Sequence, residues 1–275
     1  AIMRSLTDLV AGGLSVPAHQ PWPRYVVDAA SWEAAATALG AGELTLIGLW
    51  GEPDRVHMVL GEGVMIAVLT LPCPKGVYPS ISSSHPPALR LERALHDLLG
   101  LVPVGLPDTR PWLDHGQWSK DFPLSSGPGS RDRVPYAFLP AEGESLHQVA
   151  VGPVHAGIIE PGHFRFTMSG ETVVRIEPRL GYAHKGIESL LAGAVLERAA
   201  KLAGRVSGDS TVAYAWAFAM AVEAAAEVEV PARAVWLRAL IAELERLANH
   251  LGDLGAICND AGFALLNAHF GALRE

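Results

Sequence analysis

Glu177-Pro178-Arg179-Leu180-Gly181-Tyr182-Ala183-His184-Lys185-Gly186-Ile187-Glu188 is the stretch at which the chain changes character. Before it, Val149 to Arg179 contains short apolar pieces at strand spacing, with Gly170-Glu171 placed for a hairpin turn. After it, from Ile187, the apolar residues recur at helical spacing almost to the last residue. The spacing predicts one helix over Ile187 to Leu202 and a second over Asp209 to Val228. Pro231 then occupies the favoured first turn of a third helix, whose broad apolar stripe includes Leu237, Leu240, Ile241, Leu244, Leu247 and Leu251. A further helix is expected through Ala261 to Leu273. The pattern breaks off at Arg274-Glu275 without a stop signal, which reads as part of a longer polypeptide.

Toward the N-terminus the chain is mixed. Ser31 to Leu39 is Ala-rich and predicts a short helix with Ser31 as its N-cap. Leu44 to Trp50, Val56 to Leu60 and Val64 to Leu71 are strand-like runs separated by Gly, Pro and Asp turns. Leu91, Leu95, Leu98 and Leu99 predict a helix over Ala88 to Leu99, closed by Gly100. Strands with segregated helices make this an α+β unit. Asp121 to Glu144 is rich in Pro, Gly, Ser and charge and reads as a connector. The expected organisation is therefore an α+β domain over 1–120, a linker over 121–145, and a second domain over 146–275 that is mainly helical.

Composition narrows the function classes. With 49% hydrophobic residues the chain can bury substantial cores, and disorder is excluded over most of its length. A net charge of −8, without a basic stripe, argues against a nucleic-acid partner. The two cysteines, Cys73 and Cys258, form no C-x-x-C pair, so neither a disulfide scaffold nor a zinc site is supported, and a reducing compartment is the simplest setting. The longest apolar run, Val212 to Val222, is too short to span a bilayer. No Gly-rich phosphate loop occurs, so no NADH site is expected in this chain.

Two segments carry a family resemblance. Leu91-Glu92-Arg93-Ala94-Leu95-His96-Asp97-Leu98-Leu99-Gly100-Leu101, followed by Gly105-Leu106-Pro107-Asp108-Thr109-Arg110-Pro111, is similar to the E-R-x-x-x-D-L-x-G-L…G-x-P-D-x-R signature of the C subunit of NADH-quinone oxidoreductase. Gly152-Pro153-Val154-His155-Ala156-Gly157-Ile158-Ile159-Glu160-Pro161-Gly162-His163-Phe164-Arg165-Phe166 resembles the opening of group 4 [NiFe] hydrogenase large subunits. The stretch Glu177 to Glu188 is similar to the R-x-G-Y-x-H-[RK]-G-x-E motif that those large subunits share with the D subunit of NADH-quinone oxidoreductase. The resemblance implies an α+β domain like the C subunit, then a β-hairpin region and the start of the helical large-subunit fold.

The resemblance also implies a site, with one departure. Active hydrogenases of the family carry R-V-C-G-x-C next, whose thiolates hold nickel; here Arg205-Val206-Ser207-Gly208-Asp209-Ser210 puts Ser207 and Ser210 at those positions. Serine hydroxyls are hard, neutral donors, so no nickel–iron centre is expected. By resemblance Glu160, His163 and His184 are proton-relay or cavity-lining residues, and His155, Arg179 and Lys185 lie near quinone or a partner's iron–sulfur cluster. The alternatives are a turn with a solvated Glu160, and an ion-pair network in which Arg179 and Glu188 fix the loop. Asp209, before an apolar helix, suits an N-cap better than a metal ligand. Ser207 and Ser210 are expected to make local backbone hydrogen bonds, and Tyr214, Trp216 and Phe218 to serve as core and helix-packing surface. No cofactor is expected to be held firmly by this chain. The implied partners are an iron–sulfur small subunit of the B type and integral-membrane pump subunits, with the chain peripheral on the cytoplasmic face of the membrane. The implied role is electron transfer to quinone or another acceptor; an active hydrogenase and a non-redox assembly subunit are the alternatives.

Overall fold

A computed structural model describes residues 5–127, 129–131, 135–154 and 160–275. It is α+β and packs as two compact units, one reaching to His184 and the other Lys185–Glu275. The first contains α1 (Leu6–Val10), β1 (Leu14–Ser15), β2 (Arg24–Val26), α2 (Ala29–Gly40), β3 (Thr45–Glu52), β4 (Arg55–Glu62) and β5 (Met65–Pro72). It continues through β6 (Val77–Pro79), α3 (Leu89–Leu99), β7 (Val102–Val104), β8 (Leu146–Val151), β9 (His163–Ser169) and β10 (Thr172–Arg179). Five strands form one sheet in the order β1-β2-β5-β4-β3, parallel only between β2 and β5. Its core joins Trp32 of α2 to Val56, Met58 and Leu60 of β4, Leu69 of β5 and Leu95 and Leu99 of α3.

Helix α2 begins two residues earlier than the sequence predicts. Asp28, not Ser31, is its cap: the Asp28 backbone is extended and its carboxylate accepts from the Ser31 amide at 2.8 Å. Helix α3 matches its expectation, and Gly100 closes it in the left-handed conformation (φ +74°) that a β-carbon would strain.

Along α3 the signature residues do more than make an amphipathic helix. Glu92, fully buried, accepts from Ser80 Oγ at 2.7 Å, the Ile81 amide at 3.0 Å and both the amide and hydroxyl of Ser82. Arg93 donates to the carbonyls of Arg110 and Pro111 at 2.6 and 3.0 Å and to Asp108 at 3.2 Å. Asp97 accepts from the amides of Trp112, Leu113 and Asp114 at 2.7, 2.7 and 3.2 Å. Each charge satisfies donors or acceptors of an irregular segment that has no ladder of its own. The helix thereby fixes both the loop before it and the loop after β7.

Strands β10-β9-β8 form a separate antiparallel sheet, with Gly170-Glu171 turning the β9–β10 hairpin as expected. The described part of 121–145, read as a connector, has neither helix nor strand. Its fastenings include the Leu124 amide to the Leu98 carbonyl (2.9 Å), Arg131 to Asp97 (2.7 Å) and the Leu139 amide to Glu177 (2.9 Å).

The second unit is helical: α4 (Ile187–Leu191), α5 (Leu196–Ala203), α6 (Thr211–Ala225), α7 (Ala232–Asp260) and α8 (Ala264–Arg274). The single helix expected over Ile187 to Leu202 is broken in two, because Gly193 adopts φ +72° between the halves. Arg238 of α7 forms a two-pronged ion pair with Glu223 of α6. Helices α7 and α8 approach closely at Gly255, where a β-carbon would lie 3.2 Å from Asn267 Oδ1. Helix α6, described throughout its length, buries none of its residues: Trp216 and Phe218 are half-buried, as a helix-packing surface would be, and Tyr214 is exposed. No helix among the described residues is long and apolar enough to cross a membrane.

Candidate functional site

The conspicuous polar assembly of the first unit is the seat that the 111–118 loop makes for residues 179–184. Arg179, almost fully buried, donates to the carbonyls of Pro111, Trp112 and Asp114, the last at 3.1 Å. His115 Nε2 lies 2.7 Å from the Leu180 carbonyl, an acceptor, so this nitrogen carries the proton. The His115 ring meets Tyr182 edge-on at 4.4 Å, and Trp118 lies against His184 at 5.3 Å. Gly181 makes the approach possible: it has φ +98°, and a β-carbon there would stand 3.0 Å from the Leu113 carbonyl.

Electrostatics follow from this enclosure. Burial pulls the Arg179 pKa below the usual arginine range, and its guanidinium lies over the Tyr136 ring at 4.1 Å. Arg110 approaches the same ring at 5.0 Å and pairs with both Asp108 and Glu177. Its pKa is raised, chiefly by the hydrogen bond to Asp108. Burial likewise lowers the His115 pKa, with Arg179 adding to the effect. Desolvated charges of this kind hold position only when their hydrogen bonds are complete. Arg179 fits that description, its hydrogen bonds going to the backbone carbonyls of Pro111, Trp112 and Asp114.

The residues named from the sequence fall into three places. His163 and Arg179 are direct cross-strand partners on β9 and β10. His163 packs against Phe138 at 5.0 Å and receives Arg165 Nε at 3.3 Å. Glu160 is exposed, three residues before His163, and the intervening Gly162 passes so close to Leu180 that a β-carbon would meet it at 2.9 Å. His184 belongs to the loop seat just described. His155 lies outside the described residues.

Lys185, Ser207 and Ser210 belong to the second unit. Lys185 Nζ donates to the carbonyls of Arg205 and Val206 at 3.4 and 3.2 Å. Ser207 Oγ donates to the Asp209 carboxylate rather than to backbone, and that bond is the main cause holding the Asp209 carboxyl below its ordinary pKa. Asp209 is therefore not the N-cap expected of it, and Ser210, which occupies the cap position of α6, makes no side-chain cap bond. A nickel–iron centre does not fit these donors. Two neutral hydroxyl oxygens, one already committed to Asp209, stand where soft thiolates are needed. Among the described residues no group of three or more His, Cys, Asp or Glu side chains converges as a metal site.

Sequence reasoning missed His115, Trp118, Tyr136 and Arg131, which hold the seat together. The Trp112-to-Trp118 run, aromatic and charged within an otherwise turn-rich stretch, was the available signal. It also passed over His57, a buried imidazole between Glu52 (3.1 Å) and Thr70 (2.9 Å) and stacked on Trp50.

Comparison with known proteins agrees with this geometry. Residues 47–128 match the family of the respiratory-chain NADH dehydrogenase 30 kDa subunit. Formate hydrogenlyase subunit 5 of Escherichia coli is 35% identical over 213 residues, which are 73% of this chain and 37% of that protein. Hydrogenase-4 component G of the same organism is 34% identical over 248 residues, 86% of this chain and 44% of the relative. The D subunit of NADH-quinone oxidoreductase from Dehalococcoides mccartyi is 35% identical over 112 residues, 41% of this chain and 30% of that protein. The chain thus spans less than half the length of these relatives. The seat physically joins the 111–118 loop, within the 30 kDa match, to residues 179–184. The chain belongs to the family of group 4 hydrogenase large subunits and the C and D subunits of NADH-quinone oxidoreductase.

Proposed function

We propose that this chain is a subunit of a membrane-associated respiratory-type oxidoreductase complex, and that it supports electron transfer from a partner's iron–sulfur cluster to quinone or another acceptor. The observation that carries the reading is the seat itself. A loop fixed by two residues of the C-type signature, Arg93 and Asp97, holds the D-type motif at Arg179, Leu180, Tyr182 and His184. Such rigidity suits a wall beside an electron path, where distances must not fluctuate. The division into a 30-kDa-type domain (1–120), a linker (121–145) and the beginning of a large-subunit-like domain (146–275) is part of the same reading.

Within it, Glu160 and His163 relay protons, His184 lines the cavity, and Arg179 orients the loop. Lys185 and His155 stand close to the acceptor or to the partner's cluster. Nickel chemistry at the Ser207–Ser210 loop has no part. The partners are an iron–sulfur small subunit and integral-membrane pump subunits, and the chain sits peripherally on the cytoplasmic face. The test substitutes Glu160→Gln and His184→Gln in the whole complex and measures assembly separately from donor-to-acceptor electron transfer. Loss of turnover by at least about tenfold in a fully assembled complex is the expected result, the usual scale for a positioned proton-transfer group being larger still. Unchanged turnover in an intact complex would overturn the proposal in favour of a purely structural subunit. Stoichiometric nickel with hydrogen evolution would overturn it in favour of a hydrogenase.

A further inference from the structure

We propose that the Arg205–Ser210 loop, where the family motif of active hydrogenases places metal-binding thiolates, is closed here by a polar clamp of Lys185, Glu245 and Asn249 whose hold needs no metal. The clamp works from two sides. Lys185 Nζ reaches the carbonyls of Arg205 and Val206 just past the end of α5 (3.4 and 3.2 Å). These carbonyls follow the cap residue Gly204, beside the C-terminal pole of α5, where a cation is the favoured group.

On the other side, α7 supplies two residues one turn apart on the same face. Glu245 accepts from the amides of Val212 and Ala213 at 2.7 and 3.0 Å. These belong to the first turn of α6, whose own cap residue Ser210 makes no side-chain cap bond, so without Glu245 both donors would need water. Asn249 Nδ2 donates to the Asp209 carbonyl, while the Asp209 carboxylate takes the Ser207 hydroxyl. Every turn of the loop between α5 and α6 is therefore held by a side chain of this unit. The hydroxyl that replaces one thiolate is spent on the loop's own closure.

In the metal-holding members of the family a bimetallic centre would tie this loop down. The clamp accomplishes the same closure with hydrogen bonds, and those of Lys185 and Glu245 are charge-assisted and stronger than a neutral pair. Glu245 dominates, since its two oxygens meet two backbone donors at the positive pole of a fifteen-residue helix.

Amide hydrogen exchange across 205–213 in the full chain tests this, comparing wild type with and without a chelator, then Glu245→Ala, Glu245→Gln and Lys185→Met. The wild-type loop is expected to exchange at the same rate after chelation, and the chain to take up only substoichiometric nickel from nickel sulfate. Glu245→Ala is expected to speed exchange at Val212 and Ala213 by about tenfold or more, the scale of one hydrogen bond to a charged group. Glu245→Gln, which keeps one carbonyl oxygen, should fall between, and it guards against a variant that fails to fold. Lys185→Met should act on 205–207 and spare 212–213. Loosening of the loop by chelator, one nickel per chain, or unchanged exchange in both Glu245→Gln and Lys185→Met would each overturn the proposal.

Discussion

The same sequence signal has opposite outcomes in the two units. Leucines at helical spacing on α3 put Leu95 and Leu99 into the core against the five-stranded sheet. An equally regular stripe on α7 leaves Leu240, Leu244 and Leu247 more than half exposed, and Gly255 is the buried residue of that helix. Periodicity thus specifies which face of a helix is apolar, and nothing about what covers it. In the first unit the cover is a sheet supplied by neighbouring sequence; in the second, α7 meets α6 and α8 along edges that leave the stripe open.

The difference predicts how each unit responds to truncation of an apolar side chain. Trp32 is fully buried, packs edge-on against Tyr78 and donates its indole N–H to the Pro79 carbonyl at 3.0 Å. Trp32→Ala should cost about 3–5 kcal/mol, through lost contacts, a cavity and an orphaned carbonyl. A urea unfolding series followed by near-UV circular dichroism would measure it. A cost below about 1 kcal/mol would mean that the core collapses around the gap and that the contrast between the units is shallower than the burial implies.

A pH titration sharpens the comparison next, because the first unit buries an imidazole that the sequence did not flag. Burial, aided by Arg24 and opposed by Glu52, lowers the His57 pKa to about 4. An unfolded histidine titrates near 6.5, so below that pH the unfolded chain takes a proton that folded His57 refuses. The stability is complete above about pH 6.5, falls as the pH drops toward 4, and levels off below it, by about 3 kcal/mol in all. His96 and His115, also lowered mainly by burial, add to the slope in the same direction. In urea midpoints taken from pH 7 to 4, His57→Asn should flatten the slope markedly. A slope unaltered by that substitution would remove His57 from the account.

Legibility in the sequence divided along physical lines. The Gly170-Glu171 hairpin and the Gly100 helix stop were readable because a local backbone requirement is met by a local residue. The signature residues Glu92, Arg93 and Asp97 were readable as a motif, but not as three separate anchors, since their partners lie 10 to 18 residues away or, for Arg131, 34. The cap of α2 was misread because Asp28 and Ser31 are both good caps and only backbone dihedrals separate them. The break at Gly193 was hidden by apolar spacing that continues on both sides of it. At the candidate site, the sequence placed Arg179 and His184 in one motif. What it could not supply was the loop beneath them, because a ring contact such as Trp118 with His184 joins positions that no periodicity relates.

The smallest expected effect is the most discriminating. Leu244 of α7 is 55% exposed, so Leu244→Ser removes little contact and should change the stability of the chain by no more than about 0.5 kcal/mol. Leu95→Ala on α3, from a site 5% exposed, should cost about 2–5 kcal/mol under the same conditions. The ratio of the two costs, measured by urea unfolding at several protein concentrations, tests the contrast directly. If Leu244→Ser costs as much as a core substitution, its face is covered in solution. Dependence of that cost on concentration would assign the cover to a second copy of the chain, because only association makes apparent stability rise with protomer concentration. Equal and concentration-independent costs would mean that α7 packs its stripe within its own unit, and the open face of the helical unit would not exist in solution.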